Sequence, residues 1–268
     1  MLIDFHTHIF PEKIAGKTID ILKAGALQCE KKEITSHFDG TFSGLLESMD
    51  KNGVDISVTL PIATKPSQTE SINSYAHSIT CAKIVSFASL HPSNENTCEI
   101  LENVKNAGFQ GIKLHPEFQQ FDVDSAEAIK IFKKAEELEL FTVLHTGQDI
   151  GLPPPVHSAP KKLKNILDYV SGKYVIAAHL GGWRMWDDVE KYLVGTNILF
   201  DTAFIADYIS RQQCIRIIKN HSSDKILFGS DNPWEAPKKT LEFLMSLNLS
   251  QDDMENITHK NALKILNV

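Results

Sequence analysis

The side chains with the clearest chemistry in this chain are its histidines, eleven in 268 residues. The first two stand in Asp4-Phe5-His6-Thr7-His8, directly after the apolar run Leu2–Phe5. Side chains alternate along an extended strand, so residues two apart share a face, and His6 and His8 present two imidazoles to one side. Two such rings make half of a zinc site, with Zn–N bonds of about 2.0–2.1 Å. A lone H-x-H arises readily by chance in a histidine-rich chain, and a pair of polar rim residues is the plain alternative. The other histidines weigh against that alternative. His91, His115, His145, His157 and His179 each end an apolar run or lie in the loop after it, whereas His37, His77, His221 and His259 fall elsewhere.

Those runs alternate with helix-period segments. Strands are expected at Leu2–Phe5, Ile56–Leu60, Ile84–Ala88, Gly111–Leu114, Phe141–Leu144, Tyr174–Ala178, Ile198–Phe200 and Ile226–Phe228. Helices are expected near Phe42–Lys51, Thr69–Ala82, Asn96–Ala107, Ser125–Leu138, Pro160–Val170, Trp186–Leu193, Ile209–Lys219 and Pro237–Leu247. Short runs apolar on both faces and separated by helices indicate a parallel sheet under helices. Eight units in a chain of this length indicate a closed (β/α)8 TIM barrel, with an open doubly wound sheet as the competitor. Every strand C-terminus of a barrel points to one rim, so the seven strand-end histidines converge there. Asp124-Ser125 is a cap candidate, Gly53 and Gly108 read as helix stops, and Pro160 suits a first helical turn. A long β1–α1 insertion, about Ile9 to Thr41, carries its own helix at Pro11–Leu27, and short helices over Asp252–Leu266 close the fold. No repeat or linker divides residues 1–268, which read as one domain.

Composition narrows the function classes. The chain is 42% hydrophobic and 23% charged, and 27 basic against 34 acidic residues give a net charge of −7. With no basic run, it does not suit a nucleic-acid backbone, and a small-molecule substrate fits better. No apolar stretch is long enough to span a bilayer, and no basic-then-apolar leader opens the sequence. Cys29, Cys81, Cys98 and Cys214 are scattered, which favours reduced thiols and a cytoplasmic setting, with Cys81 and Cys98 packed on helices. A homodimer is left open.

Four motifs in order extend this reading: His6-Thr7-His8, Leu144-His145-Thr146-Gly147, Ala178-His179-Leu180-Gly181-Gly182 and Gly229-Ser230-Asp231-Asn232-Pro233. Together with Gly111-Ile112-Lys113-Leu114-His115-Pro116 and Asn261-Ala262, the chain resembles the amidohydrolase superfamily end to end. The likeness is to the amidohydrolase-related branch that includes aminocarboxymuconate semialdehyde decarboxylase. The resemblance implies one divalent metal held by His6, His8, His145 and Asp231, with His179 as general acid/base and Asp231 also accepting a hydrogen bond from the reacting water. Three imidazoles and a carboxylate suit zinc, and manganese or iron(II) as well. The alternatives are a turn residue for Asp231 and a satisfied core imidazole for His179. Gly181-Gly182 argues against the latter by leaving backbone a ligand could approach. Binuclear relatives bridge two metals through a modified lysine on the fourth strand, where Lys113 and His115 share a face, so a second metal stays open. The absence of a glutamate on that strand weakens a nuclease reading.

Around such a centre, Trp183, Trp186 and Trp234 fall in rim loops, where they could wall a pocket or simply seal the barrel mouth. Arg184, the one arginine on that rim, suits a substrate carboxylate, and Lys65 is a second candidate cation. Lys113, His115, Trp183, Arg184 and Trp234 are therefore the substrate-binding candidates, with His157 a weaker one. The leading expectation is metal-dependent hydrolysis of a C–O or C–N bond in a small carboxylated or cyclic substrate. Non-oxidative decarboxylation of an aromatic or unsaturated acid is the alternative, and a non-catalytic binding barrel the weaker one.

Overall fold

The computed structural model describes residues 1–266. The strands are β1 (Ile3–Thr7), β2 (Ile56–Thr59), β3 (Ile84–Ser86), β4 (Ala88–Ser89), β5 (Gly111–Leu114), β6 (Phe141–Leu144), β7 (Val175–Ala177), β8 (Leu199–Asp201) and β9 (Ile226–Leu227). All eight expected runs are present and pair in parallel, in the orders β1-β2-β3 and β4-β5-β6-β7-β8-β9. Hydrogen bonds outside these ladders join the two series into a ring. Phe87 N–H donates to Thr59 O at 2.9 Å, Phe5 N–H to Phe228 O at 2.8 Å and Asp231 N–H to His6 O at 2.8 Å. An open sheet has no such seam, so the barrel reading holds.

The third run is one strand by sequence and two by pairing. Phe87 interrupts it, and the chain passes from β2 as neighbour to β5. The Phe87 ring meets Phe5 edge-on at 5.5 Å. It lies where a side chain on Gly111 would project, since a Cβ there would come within 2.6 Å of Phe87 Cε2. With Ile3, Val58, Val143, Ile176 and Leu227 it fills the barrel interior, against which Ala262 and Ile265 of the closing segment pack. Asn261 fixes that segment by donating to Ser223 O and Ile226 O at 2.7 and 2.8 Å.

Helices at Phe42–Asn52, Thr69–Ile79, Thr97–Asn106, Ala126–Glu137, Pro160–Ile166, Trp186–Tyr192, Arg211–His221 and Pro237–Met245 surround the strands, close to expectation. Ser125 caps as expected, its hydroxyl accepting from Ala128 N–H, and Gly53 ends its helix at φ 68°. The insertion carries a longer helix than expected, Glu12–Glu30. Among the described residues no helix is long and apolar enough to cross a membrane. All four cysteines are free, and Cys81 is exposed rather than packed, because its helix stops at Ile79.

Candidate metal and catalytic centre

β1 delivers the first two imidazoles through an irregularity. Asp4 pairs with Ser57 and Thr7 with Thr59, three residues advancing against two, so β1 bulges just before the site. His6 Nε2 and His8 Nε2 end 3.2 Å apart. Asp231 Oδ1 completes the group, 3.5 Å from His6 Nε2 and 3.1 Å from His8 Nε2. A tetrahedral ion with bonds of about 2.1 Å separates its ligands by roughly 3.4 Å.

The partners of the opposite ring nitrogens settle what these atoms can do. His6 Nδ1 donates to Asp201 Oδ2 at 2.8 Å, and His8 Nδ1 donates to Leu60 O at 2.9 Å. A ring nitrogen bonded to a carbonyl or carboxylate carries the proton, so both Nε2 atoms present lone pairs. Two imidazole lone pairs and a carboxylate oxygen thus face one another in a largely buried place, an arrangement that only a cation relieves. Lys113 Nζ approaches His6 Nε2 at 3.5 Å but reaches neither other ligand within hydrogen-bond range. The donor set therefore fits a divalent ion. Burial holds His6 well below the ordinary histidine range, and the neighbouring Lys113 adds to the effect. A depressed imidazole keeps its lone pair at neutral pH.

His145 lies beside this trio rather than within it. Its Nε2 donates to Gln148 O at 3.1 Å, which frees Nδ1. That Nδ1 lies 3.0 Å from His179 Nε2. His179 Nδ1 in turn donates to Ala203 O at 2.8 Å, so its Nε2 is free as well. The pair can share one proton, or can turn toward an ion on the His6 side, where the His179 and His6 rings are 5.3 Å apart. His145 also stacks on His115 at 4.1 Å. Their Nε2 atoms lie 3.7 and 3.4 Å from Asp149 Oδ2, a second cluster. The same accounting gives that cluster donors rather than lone pairs. His115 Nδ1 accepts from Phe118 N–H, capping the short helix Pro116–Gln119, so its Nε2 carries the proton.

The backbone at the centre is held in unusual conformations. His179, Leu180 and Asp231 are non-glycine residues at φ 59°, 54° and 68°. Each costs about 1–3 kcal/mol unless its surroundings impose it. Asp201 does much of the imposing. Its Oδ1 accepts from His179 N–H and Ala203 N–H at 2.8 and 3.0 Å, while its backbone oxygen takes Leu180 N–H at 2.7 Å. Burial pushes the Asp201 carboxyl up, and charge and these N–H donors oppose it. Gly181 and Gly182 serve packing, contrary to expectation. A Cβ on Gly181 would meet the Phe200 ring at 3.0 Å, and one on Gly182 would meet Pro160 at 2.9 Å, so no ligand approaches there.

Of the seven rim histidines, His6, His8, His115, His145 and His179 gather at the centre. His91 Nδ1 accepts from Ser93 N–H in its own turn, and His157 pairs with Asp122 at 3.0 Å, so both organise loops. Lys113 is fully buried, and burial lowers its ammonium to about 8 against the pull of Asp201, Asp231 and Glu117. Arg184 is not a free cation. Its guanidinium bonds Glu30 Oε1 at 2.6 Å and stacks on Trp183 at 4.1 Å. Trp183 is buried, with Nε1 donating to Phe204 O, and it seals the mouth as Trp186 does through His179 O. Trp234 is half-buried against the outer core, and Lys65 is exposed at a short helical turn. Next to the second cluster lies a cleft of about 220 Å³, lined by Glu30, Glu117, Gln148, Asp149 and the Leu152–Val156 loop.

Comparison with known proteins decides the family. The amidohydrolase family profile matches residues 3–268. The chain belongs to the amidohydrolase family, whose members are hydrolases and carboxy-lyases. No curated protein sequence matches. Among solved structures, this amidohydrolase is similar to an uncharacterized TIM-barrel protein from Bordetella bronchiseptica at 16% identity, covering 99% of this chain and 98% of that one, TM-score 0.75. It is similar to a dihydroxybenzoic acid decarboxylase from a Polaromonas species, with bound manganese and the inhibitor 2-nitroresorcinol, at 15% identity over 99% and 96% of the two chains, TM-score 0.67. A candidate 2-pyrone-4,6-dicarboxylic acid hydrolase from Pseudomonas putida matches at 15% identity over 99% and 97%, TM-score 0.67. At such identities the structural likeness speaks for the fold.

Two residues of the centre escaped the sequence reading, Asp149 and Asp201. Asp201 ends a strand as the histidines do. Counting carboxylates as well as imidazoles at strand ends would have found it.

Proposed function

We propose that this amidohydrolase is a metal-dependent hydrolase of a C–O or C–N bond in a small carboxylated or cyclic substrate. The observation that carries the reading is the facing of His6 Nε2, His8 Nε2 and Asp231 Oδ1 with their lone pairs exposed. These three, with His145 through Nδ1, would hold one divalent ion; the donor set favours zinc and admits manganese or iron(II). When bound, such an ion supplies Lewis acidity and brings the ionisation of water toward neutral pH. His179 holds or releases a proton at Nε2, its Nδ1 being committed to Ala203 O. That makes it the acid/base for the leaving group. Asp231 would also accept a hydrogen bond from the reacting water. Lys113 and His115 would orient the reacting group.

Decarboxylation of an unsaturated or aromatic acid is the second reading. The buried Lys113 ammonium favours it, because a cation fixed beside the centre suits a substrate carboxylate.

The test is metal content by plasma mass spectrometry on protein purified without added metal. About one ion per chain is expected in the wild type and in His179→Asn, with little in His6→Ala. His179→Asn should keep metal and fold and lose turnover by roughly 10²–10⁴-fold. Two ions per chain would bring Lys113 into the ligand set. An unchanged, metal-free protein after soaking would sink the reading.

A further inference from the structure

The centre is nearly closed to solvent. His6, His145, His179 and Lys113 are buried, and the side chains of His8 and Asp231 are 13% and 12% exposed. A substrate must displace something to arrive, and the insertion after β1 lies across the way. In the ring of strands, with β3 and β4 as one run, β6 stands opposite β1. The insertion is rooted on the β1 side, where Phe10 N–H donates to Gly40 O at 2.8 Å and Ile19 lies against Gly40. Its helix, Glu12–Glu30, is about 28 Å long, close to the width of a small domain. The far end meets the loops after β6 and β7, where Gly25 lies against Gly151 and Glu30 pairs with Arg184 at 2.6 Å. The helix therefore crosses the barrel mouth from one side to the other.

It is lightly held there. Ala15, Ile19 and Ala26 are its buried residues, while Ile14, Ile21 and Leu27 stay exposed. Gly25 and Gly151 touch by backbone alone, and the Glu30–Arg184 pair is partly exposed. Exposed ion pairs are weak in water, which suits a contact that opens and closes. Arg184 itself is fixed, stacked on Trp183 and 5.2 Å from the Tyr208 ring. The cleft is the seam at this end, with Cys29 and Glu30 on the helix side and Gln148, Asp149 and the Leu152–Val156 loop on the rim side. We propose that the insertion helix is a lid, rooted at Phe10–Gly40 and latched by Glu30 on Arg184, whose tip lifts from the Gly151 loop to admit substrate. The proposal rests on the reading that the His6–His8–Asp231 group is the reacting centre.

Locking the tip tests it. A Cβ on Gly25 would lie 3.8 Å from Gly151 Cα, and one on Gly151 would lie 3.8 Å from Gly25 C, within reach of a disulfide. Gly25→Cys and Gly151→Cys are combined with Cys29→Ser, and bridge formation is checked by mass and thiol count. The readout is diethyl pyrocarbonate labelling of metal-stripped protein. Peptide mass spectrometry follows the buried His145 and His179 against the exposed His77. The bridge should slow labelling of His145 and His179 at least about tenfold, spare His77, and lose its effect on reduction. Glu30→Gln, with both glycines intact, should speed labelling of the same pair roughly two- to fivefold. Equal rates in the bridged and reduced forms, or in Glu30→Gln and wild type, would overturn the lid. If the thiols do not bridge, Glu30→Gln decides alone. Zinc added to the reduced protein should protect His6 and His8. Absence of that protection would sink the metal reading and leave the lid to be judged on the labelling rates.

Discussion

Asp201 organises both halves of the candidate chemistry with one carboxylate. One oxygen takes the Nδ1 proton of His6, so that Nε2 faces the ligand position; the other holds the backbone of His179 in its left-handed conformation. A carboxylate behind a metal-binding imidazole fixes the ring's tautomer and raises its basicity. Asp201→Asn keeps the shape but offers an amide that can donate toward Nδ1, which would move the proton to Nε2 and cap the lone pair. Metal affinity should fall 10–100-fold, read by competition with a chelating dye, while the circular dichroism spectrum stays that of the wild type. An unchanged affinity would make Asp201 a purely structural residue. At this scale the sequence revealed donor types and not their partners. His6 and His8 were legible because strand periodicity puts them on one face. The capture of Arg184 by Glu30 was not, because it joins residues 154 positions apart, and for Trp183 the sequence left walling a pocket and sealing the mouth both open.

The elements themselves were more legible than the side chains between them. Apolar runs of three to five residues separated by amphipathic helices have few folded solutions, and the caps mark their ends locally. Helix Ala126–Glu137 shows it, burying Ala128, Ile131, Phe132 and Ala135 at helical spacing behind the Ser125 cap. Ser125→Ala removes the acceptor for Ala128 N–H and should cost about 1 kcal/mol. In a chain of this size that is a fall in melting temperature of roughly 2–4 °C, measurable by calorimetry, with metal binding intact. No change would mean water replaces the cap at no cost. The interruption at Phe87 was not legible, since it depends on the space left by Gly111 on a neighbouring strand. The insertion helix was located, and its last residue, Glu30, lines the cleft and pairs with Arg184.

At the scale of the whole molecule, acid sensitivity can be assigned to a histidine remote from the centre. His221 ends helix Arg211–His221, and its ring stacks on Phe200 at 3.9 Å, 10° from parallel. Nε2 donates to Ile198 O at 2.8 Å and Nδ1 accepts from Gly195 N–H at 3.2 Å, so both nitrogens are used by the form without charge. Burial pushes this imidazole down to about 4. An unfolded histidine takes up its proton near 6.5. Between those values the unfolded chain binds a proton that the folded chain refuses. The stabilisation is therefore complete above about pH 6.5 and is lost as pH falls toward 4, with a slope of roughly 1.4 kcal/mol per pH unit. At pH 5 the loss from this residue is about 2 kcal/mol. His221→Asn can still donate to Ile198 O but cannot titrate. Urea unfolding should show it less stable than the wild type at pH 7, with the gap closing by about that amount at pH 5. A gap independent of pH would show that His221 titrates in the folded protein as it does in the unfolded chain. The acid limit would then belong to the histidines at the rim, which both proteins share.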